Sequence, residues 1–451
     1  MTTHFYKKIF TAVIAITILS LAPSALIAQE DDEFFTIPEC IKQALTTSPE
    51  IQKFVHNTRA NQKNLDSSKG QYLPKLDADG EWGVGSTDSA ARRSAGREDI
   101  VQDRGNVGLT LTQTLYNGQA TGSRVEINEA RLESSGKRLE DAAQALGLDC
   151  VRAYMEVVRY RTLVSLSDEN VNTHRIILAS LQERQQAGVG SIADVTQTQG
   201  RLARALSSMA EDKRNLTSAI ATYRKVVGQE PPENMYPEEP GTLPFGTVEE
   251  LIALARDKNP RLLALAADVR EARKTIGLRN ASLLPTVNLE LSTDYTDKDG
   301  SYTEDNQAMV TANWNLFNGG SDMDTKRSAT ETKLQALATL AEERRVIEEE
   351  IRQTWSRYES DMEQIELFTE AVYYNRQTSD SYLQQFNIGQ RSLLDVLDAE
   401  NETFQSSSLL VTTQADHVVA YYRLLTLAGK LLSEVNINPE LYVNNKYVEE
   451  N

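Results

Sequence analysis

Only two cysteines, Cys40 and Cys150, occur among 451 residues, so neither a disulfide framework nor a cysteine-based metal cluster is open to this chain. Histidine is nearly as scarce. His56, His174 and His417 lie far apart, without the cysteine or carboxylate spacing of a ligand set, and read as surface or packing residues. Glycine-rich phosphate loops, nucleophile elbows and paired metal ligands are missing, and with them the usual marks of an enzyme or of a cofactor or metal site. The run Glu348-Glu349-Glu350 is more simply a solvated helix face than a catalytic pair. Basic residues are outnumbered 47 to 65, a formal charge of −18. That balance argues against nucleic acid as a partner and for a well-solvated surface.

Long apolar runs are missing too, with one exception. Ile9 to Leu26 follows Lys7-Lys8 and ends Ala25-Leu26-Ile27-Ala28, the layout of a secretory signal peptide over residues 1–28. An uncleaved membrane anchor is the alternative, because the run is just long enough to span. Lys7 and Lys8 are the only charged residues before Glu30, so the rest of the chain sets 45 basic against 65 acidic residues, about −20. No cysteine follows residue 28 closely, so no lipid anchor is expected.

What the chain has in abundance is itself. Gly188-Val189-Gly190-Ser191-Ile192-Ala193-Asp194-Val195 is echoed by Gly389-Gln390-Arg391-Ser392-Leu393-Leu394-Asp395-Val396 at an offset of 201 residues. The same offset pairs Leu115-Tyr116-Asn117-Gly118 with Leu316-Phe317-Asn318-Gly319, and Gly228 with Gly429. The length alone would suggest about three compact domains, but two copies of one long unit override that reading. The expected units are residues 29–230 and 245–435, joined by a proline-rich acidic linker at 231–244 and followed by a polar tail at 436–451.

Each unit changes rhythm along its length. Thr36 and Thr247 open helical stretches interrupted at Ser48-Pro49 and Asn259-Pro260, and Leu73-Pro74 and Leu284-Pro285 stop them. A two-residue alternation follows: Leu76, Ala78, Gly80, Trp82 and Val84 against Asp77, Asp79 and Glu81 in the first unit, and Val287, Leu289 and Leu291 against Thr286, Asn288 and Glu290 in the second. This predicts strands at about 74–84, 106–116, 285–295 and 307–317, joined by polar loops at 85–105 and 296–306. Four strands of roughly ten residues fit a tilted crossing of an outer membrane but cannot close a barrel, whereas three copies would supply twelve.

After Asn117-Gly118 and Asn318-Gly319 comes a long helical stretch without proline. Leu132, Leu139, Leu146, Ala153 and Tyr160 recur every seven residues, and Leu337, Leu340, Ile347, Ile351, Tyr358, Met362, Ile365 and Val372 step by threes, fours and sevens, which is coiled-coil spacing. Residues 119–186 would make a helix about 100 Å long. Glycine corners at 187–195 and 388–398 turn it back into a returning helix, with Ser191 and Ser392 as caps. The second corner carries Asp395 and Asp398, three apart on one helix face. Counting rise per residue puts Cys40 and Cys150 at one depth, about 50 Å below the strands. A disulfide between them is one expectation and two buried apolar thiols the other.

These residues together resemble the TolC family of outer-membrane efflux and secretion channels, and the resemblance covers nearly the whole chain after the signal. Its motifs here are the Ser48-Pro49 and Asn259-Pro260 helices, Leu-Pro before the first strand of each unit, Leu-Tyr/Phe-Asn-Gly after the second, and the Gly-x-x-Ser-x-x-Asp-Val corner. The resemblance implies a mainly α fold with a transmembrane β part. Each of two structural repeats would hold a helix, two strands, one very long helix and a returning helix. It also implies a homotrimer, set in outer-membrane lipid with a 12-stranded β-barrel and a long periplasmic α-helical barrel. The duct would meet an inner-membrane ABC or proton-driven transporter through a periplasmic adaptor (membrane fusion) protein.

By position, the resemblance makes Asp395 and Asp398 an entrance selectivity ring and Asp194 and Arg391 closing contacts between the corners. Phe386 stands where a tyrosine hydroxyl would bond the aspartate, and Ala193 where a hydroxyl would meet the arginine. The implied closure is weaker by about 1 kcal/mol for each missing hydrogen bond. The segment Leu111-Thr112-Gln113-Thr114-Leu115-Tyr116-Asn117-Gly118, with no lipidation cysteine, tilts the resemblance to the type I protein-secretion branch over small-molecule efflux. A periplasmic coiled-coil adaptor or structural helical protein would use the heptads, but needs no strands placed identically in both repeats.

Overall fold

The computed structural model describes residues 34–86, 88, 90–94, 96, 101–298 and 301–439. The signal-peptide expectation and most of the polar tail lie outside them. The first repeat runs α1 (Ile37–Thr47), α2 (Pro49–Gly70), β1 (Lys75–Ser86), a short α3 (Ala90–Ser94), β2 (Val101–Tyr116), α4 (Ala120–Gln186) and α5 (Ile192–Val227). The second runs α6 (Val248–Lys258), α7 (Pro260–Ala281), β3 (Thr286–Lys298), β4 (Ser301–Asn313), α8 (Ser321–Asn387) and α9 (Leu393–Leu427), followed by α10 (Leu431–Glu434). Both α4 and α8 are 67 residues long, about 100 Å of helix. Among the described residues no helix is long and apolar enough to cross a membrane.

Proline punctuates the short helices because it can neither donate a backbone hydrogen bond nor fit the helix interior. At Asn259-Pro260 the Asn259 side chain makes the junction. Its Oδ1 accepts from Arg261 N at 3.0 Å and Leu262 N at 3.2 Å, while its Nδ2 donates to Leu427 O at 2.9 Å, an end carbonyl of α9. Gly429 turns α9 off at a φ of 70°, and a Cβ there would sit 2.7 Å from Lys258 O. The first repeat solves the same problem differently: Ser48 caps α2, and Thr47 Oγ1 donates to Val227 O at 3.1 Å.

Among the described residues two apolar cores hold the helices. The larger gathers α1, the middle of α4, α6, α10 and the ends of α5 and α9 around Ile41, Val151, Tyr154, Tyr223, Leu251 and Leu424. The linker is fastened to it. Tyr154 Oη donates to Phe35 O at 2.6 Å and accepts from Tyr236 N at 3.3 Å, and Arg161 Nη1 donates to Pro232 O at 2.7 Å. The smaller core lies far down the helices, under the second corner. Along α8 the heptad stripe divides. Leu340, Ile347 and Ile351 are buried, whereas Leu337 and Met362 are exposed in the single chain.

The four strands form one antiparallel sheet in the order β1-β2-β3-β4. Register puts Leu76, Leu111, Leu291 and Ala308 in one row across all four, and Asp79, Gly108, Asp294 and Asp305 in a row on the opposite face. One face is therefore apolar and open to the surroundings, with Leu76, Trp82, Val107 and Val310 exposed. The expected loop at 296–306 is much shorter, because ladder pairing continues to Lys298↔Ser301. β4 ends at Asn313, so Trp314 and Leu316 fall outside it, and Trp314 Nε1 donates instead to Leu283 O at 3.1 Å.

Candidate functional site: the paired helical corners

Both corners use glycine in the left-handed region, Gly188 at φ 76° and Gly389 at φ 78°, where a Cβ would be strained. Serine then restarts the helix: Ser191 Oγ accepts from Ala193 N at 3.1 Å and Ser392 Oγ from Asp395 N at 3.3 Å. The second corner is anchored from below by Phe386, buried with Ile177, Leu181, Leu393, Val396 and Leu397. That packing draws on both repeats, since Ile177 and Leu181 belong to α4. Arg184 of α4 lies 4.9 Å from the Phe386 ring centroid, a cation–π contact across the repeats.

Asp395 and Asp398 sit in the first turns of α9 with side chains 45 % and 64 % exposed. Neither is without a partner. Arg391 Nε lies 3.4 Å from Asp395 Oδ2, and the same guanidinium stacks 3.8 Å from the Tyr382 ring centroid. Asp398 Oδ1 accepts from Arg201 Nη2 at 2.7 Å. Within the single chain Arg391 and Asp194, each expected as a closing contact between the corners, do not bond to each other. Among the described residues the Asp194 side chain makes no ion pair, and its carbonyl caps Thr198 Oγ1 at 2.8 Å. Higher up, Ser379 Oγ donates to Glu400 Oε1 at 2.6 Å and Asn375 Nδ2 to Ser406 Oγ at 2.9 Å, which ties α8 to α9.

Arg201, Arg184 and Tyr382 were missed in the sequence. Arg201 has no charged twin of the same kind at the repeat offset, where Glu402 stands. The one available signal was its reach: it lies about one helical turn deeper along α5 than Asp398 does along α9.

Cys40 and Cys150 are free thiols, completely buried in the larger core. Cys40 Sγ donates to Tyr223 Oη at 3.7 Å. Interaction with the Cys150 thiol holds the Cys40 thiol below its ordinary value, while interaction with Cys40 and burial push Cys150 up. Among the described residues no cluster of His, Cys, Asp and Glu could hold a metal ion.

The comparisons with known proteins agree in kind. The family described as "Outer membrane efflux protein" matches residues 40–229 and 251–430, one stretch in each repeat. The chain is 23 % identical over 403 residues to the outer membrane efflux protein BepC of Brucella suis, covering 88 % of this chain and 86 % of that one. It is 22 % identical to the outer membrane protein TolC of Vibrio cholerae, covering 91 % and 94 %. To the alkaline protease secretion protein AprF of Pseudomonas aeruginosa it is 24 % identical, covering 90 % and 87 %. The fold matches the outer membrane protein VceC of Vibrio cholerae with a TM-score of 0.76 at 18 % identity over 87 % and 96 % of the two chains. It matches the CmeC outer membrane channel of Campylobacter jejuni with a TM-score of 0.78 at 14 % identity over 91 % of each.

Proposed function

Since the chain belongs to the outer membrane efflux protein family, we propose that three copies build a single duct whose narrow entrance is formed by the paired corners. The three sheets close a twelve-stranded barrel in the outer membrane, and the helices continue it as a tube through the periplasm. One observation carries this reading: a four-stranded sheet with an apolar face, bare at β1 and β4, continuous with two 67-residue helices. In lipid each unpaired backbone group costs several kcal/mol, so such a sheet must be completed by other copies. The exposed apolar residues of α8 give the neighbouring copies a surface to pack on. A periplasmic adaptor without a channel would leave the sheet without a purpose.

At the entrance, threefold repetition turns Asp395 and Asp398 into rings of carboxylate. Such rings favour cations and resist anions. The exposed apolar tips Val189, Ile192 and Ile388 are where a periplasmic adaptor would dock and couple the duct to an inner-membrane ABC or proton-driven transporter. Protein export of the type I kind is the favoured cargo class. The names of the secretion relatives, AprF among them, support it, and small-molecule efflux is the alternative. Members of this family act as channels, and the proposed chemistry is selective passage without catalysis.

The test is fractionation followed by conductance. The protein is expected to sediment with outer membrane, to need detergent for extraction, and to give a small cation-preferring conductance in planar bilayers that Asp395→Asn/Asp398→Asn makes less selective. Release into buffer without detergent would refute the duct.

A further inference from the structure

We propose that Arg201 sets both the closure and the charge of the entrance, by neutralising Asp398 across the two repeats. This rests on the duct reading given above. It names a closing contact that the corner motif does not contain.

Geometry favours this pair over the contacts expected from the sequence. α5 packs along α4 and α9 along α8, so a bond from α5 to α9 ties one helical hairpin to the other. α5 begins at Ile192 and α9 at Leu393, which puts Arg201 nine residues and Asp398 five residues into their helices. The difference is about 6 Å of rise, a gap that an extended arginine side chain spans, and the 2.7 Å contact shows that it does. The arginine is rooted in the helix surface, 23 % exposed, while the carboxylate stands out at 64 %. When the hairpins separate, the group released to the lumen is therefore the negative one.

The neighbouring contacts sharpen the assignment. Phe386 and Ala193 have no hydroxyl to offer, and Asp194 makes no ion pair among the described residues. Arg391 is held by the Tyr382 ring and reaches Asp395 only at 3.4 Å. Among the described residues the one short cross-repeat ion pair at the corners is Arg201–Asp398. It occurs once per chain, since the repeat offset puts Gln197 and Glu402 at the equivalent places. The Arg201–Asp398 pair thus takes the place of the missing hydroxyl contacts.

The two partners then have opposite signatures. Breaking the pair from either side loosens closure. Removing Arg201 also strips the counter-charge from a ring of three carboxylates, whereas removing Asp398 strips the carboxylates themselves. Single-channel conductance of the full-length trimer in planar bilayers, with La3+ added from the entrance side, separates the two. Arg201→Gln is expected to raise conductance about twofold or more and to lower the La3+ concentration for half-block by about fivefold to tenfold, as three unscreened carboxylates near a trivalent ion would do. Asp398→Asn is expected to raise conductance similarly and to weaken the block. Arg201→Asp combined with Asp398→Arg should restore the low conductance, and Arg201→Lys should fall between native and Gln.

An intact trimer in which Arg201→Gln conducts and binds La3+ like the native chain would overturn the proposal and leave the duct standing. So would equal changes in block for Arg201→Gln and Asp398→Asn, because a purely structural role moves both alike. Silence of the native chain, of Arg201→Gln and of Asp194→Ala/Arg391→Ala would overturn the duct and this proposal with it.

Discussion

Asn259 is the residue whose removal should reach furthest for its size. Its side chain is almost fully buried at the α6–α7 junction and serves three backbone groups at once, two amides that open α7 and the Leu427 carbonyl that closes α9. Substitution by Ala removes the cap, worth about 1 kcal/mol. It also leaves a buried carbonyl without a partner, worth about 1–3 kcal/mol, for a total of about 2–4 kcal/mol. Substitution by Ser, the residue at the equivalent Ser48, keeps a capping oxygen but cannot reach Leu427, so about 1–3 kcal/mol should remain. A shift in the global melting temperature would be small for so long a chain, and amide hydrogen exchange reads the junction directly. Protection of the first turn of α7 and the last turn of α9 should fall about thirtyfold to almost a thousandfold in Asn259→Ala, at tenfold per 1.4 kcal/mol. If Asn259→Ser exchanges like the native chain, the Leu427 bond contributes nothing and the reasoning fails.

Other outcomes follow from the same structure. Phe386→Ala removes a buried ring that both repeats share and should cost the corner about 3 kcal/mol; an elevated conductance with an unchanged barrel would be the reading, and an unchanged conductance would count against the corner as the constriction. Cys40 and Cys150 are buried in the same core, and we propose that an oxidising compartment joins them, enclosing a loop of about 110 residues and adding about 4–5 kcal/mol; two free thiols on the unfolded, unreduced protein would refute this. His417 is held below its ordinary value chiefly by burial. The unfolded chain then binds its proton first, so the contribution is complete above about pH 6.5 and is lost as pH falls toward the folded value. His417→Phe keeps the stack on Tyr358 at 4.5 Å and should flatten the acid limb of urea stability between about pH 7 and 5; an identical limb would assign it elsewhere.

Much of this architecture can be read in the chain because it is written twice. An offset of 201 residues carries Ala120 to Ser321, Gln186 to Asn387 and Ile192 to Leu393, both ends of the two longest helices and the starts of the helices that return from the corners. Alternation identifies the sheet because one face is wet and the other dry, and constant helical rise puts Cys40 beside Cys150. Strand ends were less legible, since Thr296 to Lys298 and Ser301 to Asn306 are polar enough to pass for a loop, and only the ladder decides that they pair. Least legible was the Arg201–Asp398 bond. Its partners lie 197 residues apart, off the repeat offset, and are matched only by the length of an arginine.

The equal length of α4 and α8 makes the molecule a ruler. Shortening one by seven residues would lift one corner about 10 Å above the other and part Arg201 from Asp398, so lengths of the four long helices are not independent variables. A longer or shorter duct is reachable only by changing all of them together, in steps that preserve the seven-residue pattern. The distance from the outer membrane to whatever meets the corners is thus a quantity inherited as a unit, fixed less by any single contact than by agreement between two copies of one count.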